Sequence, residues 1–138
     1  MARGGPQGCA CRRDAGTGVL AFWRPGVGRH NIAEIALHHA YFARAVRAQV
    51  SGRAVEPFVM TGEDWFEVND ERGLSWPDIQ ATVATEQQRL ADLIANVEAG
   101  RSTSAIPDDE RFGLVLGITC HAVYHAGQVQ LIKRFRGE

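Results

Sequence analysis

Two histidines four residues apart, His121 and His125, lie in Gly117-Ile-Thr-Cys-His121-Ala-Val-Tyr-His125-Ala-Gly-Gln-Val, near the end of the chain. At about 100° per residue they share one helix face, roughly 6 Å apart along the axis. Two imidazoles so placed can close on one divalent metal ion. Further histidines stand upstream in His30-Asn-Ile-Ala-Glu-Ile-Ala-Leu-His38-His39. Three neutral nitrogen ligands leave a coordination position open, the arrangement of a catalytic rather than a structural site. Imidazole accepts zinc, nickel, iron and manganese alike, so the residues do not choose the metal. Set against this is a plainer reading, in which the histidines are hydrogen-bonded members of a core.

Positioning such a cluster is the work of helices. Asn31 followed by Glu34 is a capping-box pattern, and Ile32, Ile35, Ala36, Phe42, Val46 and Val50 follow at helical spacing. Gly52 supplies the stop, which predicts a helix over about 31–51. Ser75-Trp-Pro77-Asp opens another, with Ile79, Val83, Leu90, Leu93, Ile94 and Val97 on its apolar side and Gly100 after it. The last helix starts near Pro107, with Asp108, Asp109 and Glu110 at its positive end and Lys133, Arg134 and Arg136 at its negative end. On it Leu114, Ile118, His121, His125, Val129 and Ile132 form one stripe, which predicts that both histidines face the core.

Residues 52–75 carry no sustained period and hold Pro57, Gly62, Gly73 and the aromatic residues Phe58, Trp65 and Phe66. So long a connection suits a crossover along a bundle, leaving the flanking helices parallel. Residues 1–20 are rich in glycine and arginine and read as an irregular segment before a helical domain over 21–138. Trp23, Trp65 and Trp76 lie at connections and read as packing anchors.

The chain has 138 residues, a net charge of −1 and three cysteines. That bounds it to one domain, with no general attraction to nucleic acid or anionic lipid and no disulfide framework. No apolar run is long enough to span a membrane, and the basic start is not followed by the apolar region of a secretory signal. A cytoplasmic protein is expected. Cys9-Ala-Cys11 can bind a soft metal but lacks a second ligand pair nearby, and Cys120 reads as small core filler. Glu34 reads as a capping residue before a ligand partner. Tyr124 and Gln128 flank the histidine pair and are the candidates for substrate contact; no catalytic residue is assigned.

The segment His30-Asn-Ile-Ala-Glu-Ile-Ala-Leu-His38, with His121-Ala-Val-Tyr-His125-Ala-Gly-Gln-Val-Gln-Leu-Ile-Lys-Arg far downstream, resembles the DinB-like (damage-inducible, YfiT-like) superfamily. Pro57-Phe-Val-Met-Thr-Gly-Glu-Asp-Trp65-Phe66 is similar to the connection in one branch of it. The resemblance spans about residues 22–136. It implies an all-α four-helix bundle with a long crossover between its second and third helices, the first helix here short or degraded. It also implies a divalent metal held by His38, His121 and His125. The activity implied is a metal-dependent S-transferase that activates a low-molecular-weight thiol, such as bacillithiol or mycothiol, against an electrophilic substrate. A metal-dependent hydrolase and a non-catalytic bundle acting in assembly are the alternatives. An apolar groove left by a poor first helix leads to the expectation of a homodimer.

Helical geometry and family register disagree on one ligand. On a wheel His39 lies nearest the centre of the apolar stripe, and His38 about a quarter-turn away. The register selects His38, and that is the expectation carried forward.

Overall fold

The structure is a computed structural model that describes residues 18–137. Readings of residues 1–17, Cys9 and Cys11 included, fall outside the described residues. The fold is an all-α helical bundle. Helix α1 is described over 18–22, followed by α2 (Ile32–Ser51), α3 (Trp76–Glu98) and α4 (Asp108–Arg136), with no strand among the described residues.

The boundary at residue 20 needs correction, because residues 18–20 are already helical. The run Val19-Leu-Ala-Phe22 outweighs the glycines before it once it has something to pack on. Leu20 joins Ile32, Ile35 and Ile132, while Ala21 joins Ala33, Leu37, Phe66, Val68 and Ile79.

Helix α2 is the centre of the molecule. Its cap is the one read from the sequence: the Glu34 amide donates to Asn31 Oδ1 (2.8 Å) and the Asn31 amide to Glu34 Oε2 (3.3 Å). It is buried on nearly every side, from Ile32 to Val50, His38 and His39 included. Helix α3 has the expected Ser75 cap and α4 the expected Pro107 start and Gly137 stop.

Packing fixes the directions. Leu37 clusters with Ile79 near the start of α3, and Val46 and Val50 cluster with Leu90, Leu93 and Ile94 near its end. Helices α2 and α3 are therefore parallel, as the long connection predicts. Ile132 meets Ile32 and Ile35, while Leu114 and Ile118 meet Val46 and Val50, so α4 runs antiparallel to α2. Both α3 and α4 pack mainly on α2. The stripe on α4 faces inward, yet only His125 and Ile132 of it are fully buried, because a groove stays open between α3 and α4.

The crossover is tied to α2 by polar contacts. Asn31 Nδ2 donates to the Val68 carbonyl (2.9 Å), the Val68 amide to Glu34 Oε1 (3.2 Å), and Arg44 Nη1 to the Glu56 carbonyl. Phe66 and Val68 are buried beneath it. At the end of α2, Gly52 has φ +66°, and a Cβ there would stand 2.6 Å from the Ala105 Cβ. Glycine is needed for both reasons: left-handed backbone, and the approach of the segment that donates from the Ala105 amide to the Val50 carbonyl (2.8 Å). No helix among the described residues is long and apolar enough to cross a membrane.

Candidate metal centre

Antiparallel packing of α4 on α2 brings residues more than eighty positions apart into one cluster. His38, His121 and His125 each offer a ligand nitrogen, and these atoms lie within 4.8 Å of one another. The ring centroids of His38 stand 5.0 Å from those of both His121 and His125, and the latter two are 4.3 Å apart.

Hydrogen bonds decide which nitrogen of each ring is free. His38 Nδ1 lies 2.7 Å from the Asp64 carbonyl oxygen. A carbonyl only accepts, so Nδ1 carries the proton and Nε2 has the lone pair. His125 Nδ1 lies 2.6 Å from Gln128 Oε1, with the same consequence. Gln128 in turn donates from Nε2 to the Tyr124 hydroxyl oxygen (3.2 Å).

His121 is placed between two other imidazoles. Its Nε2 is 3.0 Å from His125 Nε2, and its Nδ1 is 3.3 Å from His39 Nδ1. Gln87 Nε2 stands 3.1 Å from the other ring nitrogen of His39, closing a polar chain that runs from α3 through α2 to α4. Taken from the Gln87 amide as donor, each ring in that chain donates to the next, and the chain ends on the Tyr124 hydroxyl. Wheel and register thus describe different halves of one cluster: His38 lies in the three-nitrogen group, and His39 stands behind His121.

Burial favours the neutral ring at His38, His39 and His121. It pushes His121 down to about 4, with the nearby His125, His38 and His39 adding to the effect. His38 is lowered chiefly by burial, against the opposing bond to Asp64, and His39 is lowered by burial too. Neutral imidazole is the form that binds a metal.

The donor set fits a divalent ion. Zinc–nitrogen bonds of about 2.0–2.1 Å in tetrahedral array separate donor nitrogens by roughly 3.3 Å. The His121–His125 pair is already near that separation, with 3.0 Å between the two Nε2 atoms, and the ligand nitrogen of His38 lies within 4.8 Å of theirs.

Trp65 forms a wall of the cluster that sequence reading treated only as a packing anchor. Its ring lies between two imidazoles, stacked on His38 at 3.8 Å and on His30 at 3.7 Å, with interplanar angles of 9° and 4°. His30 is held from the other side by Glu34 Oε2, 3.0 Å from its Nδ1. Burial would raise the Glu34 carboxyl, but bonds from Arg24, His30 and the Val68 amide hold it below its ordinary value. Glu34 is thus the capping residue the sequence indicates and also the anchor of Arg24 and His30.

The remaining candidates are placed differently from one another. Gln128 is half-buried and engages His125 directly, so it orients that ring rather than facing the free nitrogen. Tyr124 is largely exposed beside it. Cys120 is exposed rather than part of the core, since one residue before His121 it is turned to the outer side of α4. His39, Gln87, the Asp64 carbonyl and Trp65 are contributors the sequence did not single out for this role. Only His39 had a signal, its central position on the α2 stripe. No protein-family model, curated protein or solved structure matches the chain.

Proposed function

We propose that the chain is a DinB-like divalent-metal protein that activates a low-molecular-weight thiol for transfer to an electrophilic substrate. The observation that supports it is the convergence of His38, His121 and His125 with two Nδ1 atoms already committed to oxygen acceptors. When bound, a divalent ion supplies Lewis acidity that lowers the pKa of a coordinated thiol or water.

The chain's own residues prepare that role. Asp64 and Gln128 hold the proton of His38 and His125 on Nδ1, directing Nε2 inward. His121 must do the same to offer Nε2, which places its proton on Nδ1, opposite His39 Nδ1. His39 then accepts there and carries its own proton on Nε2, which the Gln87 side chain meets with its oxygen after an amide rotation. Trp65 shields one face of His38 from water. Among the described residues no cysteine, serine or lysine is bonded to the three rings, which favours an external thiol as the nucleophile in this reading.

The test is incubation of metal-loaded protein with a panel of thiols and electrophiles. Thiol-dependent turnover above that of metal-free protein is expected. Turnover of esters or amides without thiol would instead favour the hydrolase, and no turnover with any pair would leave a non-catalytic bundle.

A further inference from the structure

Beyond the C-terminal half of α2, away from the histidines, lies a cavity of about 810 Å³ of unusual composition. Five arginines line it: Arg44 and Arg47 from α2, Arg53 after it, Arg89 from α3 and Arg101 from the turn before α4. Arg44 lies six residues beyond His38, about 9 Å along the helix. Glu56 and Asp92 are the acidic residues in the lining, and Glu86 stands behind it, 3.2 Å from Arg47 and 3.5 Å from Arg89.

The charges do not cancel. Arg47 and Arg89 share Glu56 and Glu86. No ion pair with a carboxylate is formed by Arg44, Arg53 or Arg101 among the described residues; Arg101 Nε donates to the Asn96 side-chain oxygen (2.9 Å). Five arginines against three carboxylates leave an excess of two. The parallel run of α2 and α3 brings two helix C-termini to this end, each equivalent to about half a negative charge, and antiparallel α4 brings its N-terminus, equivalent to about half a positive charge. Between about one and two positive charges still stand over.

The guanidinium groups are also held in place. Arg44 is buried, with 6% exposure, and its guanidinium carbon lies 4.9 Å and 5.1 Å from the ring centres of Tyr41 and Phe58. The Nε atoms of Arg44 and Arg47 are buried and have no hydrogen-bond acceptor. A buried donor without an acceptor is costly. These two atoms lie behind the wall, out of reach from the cavity, so an oxyanion in it is met by the accessible guanidinium nitrogens. Glu56 is more than half exposed on the crossover and already puts one carboxylate oxygen between Arg47 and Arg89. It shows the kind of group this wall takes.

We propose that this cavity is a second ligand site, separate from the histidine cluster, for a small molecule bearing a phosphate or carboxylate group. Planar guanidinium forks match both oxyanions and bind them more tightly than neutral donors do. The volume is that of a small-metabolite site, and its polar, cationic lining suits an anion rather than an apolar ligand.

Arg53 and Arg101 are exposed, so replacing them keeps the fold intact in a way that replacing Arg44 does not guarantee. The full chain is titrated by calorimetry with inorganic phosphate and, separately, with succinate, each at constant ionic strength balanced with chloride. Saturable binding of at least one is expected, and the stronger of the two identifies the oxyanion. In Arg53→Ala with Arg101→Ala the dissociation constant should rise at least about tenfold, while circular dichroism stays unchanged. His121→Ala should bind the anion as the parent does. No saturable binding of either probe, or binding equally strong in the double variant, would overturn the proposal. So would loss of anion binding in His121→Ala, which would move the site to the histidines.

Discussion

His38 donates from Nδ1 to the carbonyl oxygen of Asp64 across 2.7 Å, and so a residue of the crossover sets the tautomer of a residue of α2. The same loop lays Trp65 flat against that ring. The connection that carries no helical period is therefore what fixes the imidazole on which the three-histidine cluster depends.

Removing a ligand should empty the site. His38→Ala, His121→Ala and His125→Ala are each expected to abolish stoichiometric zinc binding, read by elemental analysis after dialysis. His39→Ala should keep one metal per chain but weaken affinity roughly tenfold, the usual cost of losing a group that orients a ligand. An empty site in His39→Ala beside a filled one in His38→Ala would reverse the assignment.

Acid should act on both metal and fold. The folded chain depresses His38, His39 and His121 below the ordinary 6.5, the last to about 4. The unfolded chain therefore takes up protons first, and stability is full above about 6.5 and falls as pH drops toward 4. Urea midpoints of metal-free protein measured across that window should decline with pH. Metal retention should weaken over the same range, because protons compete for the nitrogens. Retention unchanged at pH 5 would argue against imidazole ligation.

Gly52→Ala should destabilise the chain by roughly 2 kcal/mol, through its left-handed backbone and the clash with Ala105. A lower urea midpoint with an unchanged slope is the expected reading. An unchanged midpoint would mean that the segment before α4 moves aside at no cost.

Self-association is the fourth expectation. A cavity of about 500 Å³ lies open between α3 and α4, lined by Leu90, Ile94, Val115 and Ile118, and Phe112, Val123 and Phe135 of α4 are largely exposed. Apolar surface of this extent is commonly covered by a partner. Light scattering at micromolar concentration should give the mass of a dimer, and Phe112→Ser with Val123→Ser should shift it to monomer. A monomer throughout would remove the idea.

Much of this architecture was readable because its signals are local. Asn31 with Glu34, Ser75 with Pro77, and Gly52 and Gly137 mark ends by backbone chemistry that involves few neighbours. His121 and His125 were legible because four residues make a little more than one helical turn. The role of His39 was not, since it depends on Gln87 arriving from α3 and His121 from α4. Trp65 was missed for a similar reason: a loop residue has no period to say which ring it covers. Residues 18–20 were misjudged because glycine propensity was weighed without the core that Leu20 and Ala21 enter.

The dependence of α3 and α4 on α2 bears on how the chain acquires its structure. Neighbouring helices joined by a short turn normally zip together early, because closing a short loop costs little. Here α3 and α4 are the pair joined by a short turn, yet each finds its main contacts on α2 instead. The stabilising contacts therefore bridge long stretches of sequence, Leu37 to Ile79 and Ile35 to Ile132 among them. Loop-closure entropy has to be met before these contacts contribute. Refolding is expected to be slow for a helical protein of this size, with a rate nearer that of mixed α/β domains than of up-and-down bundles.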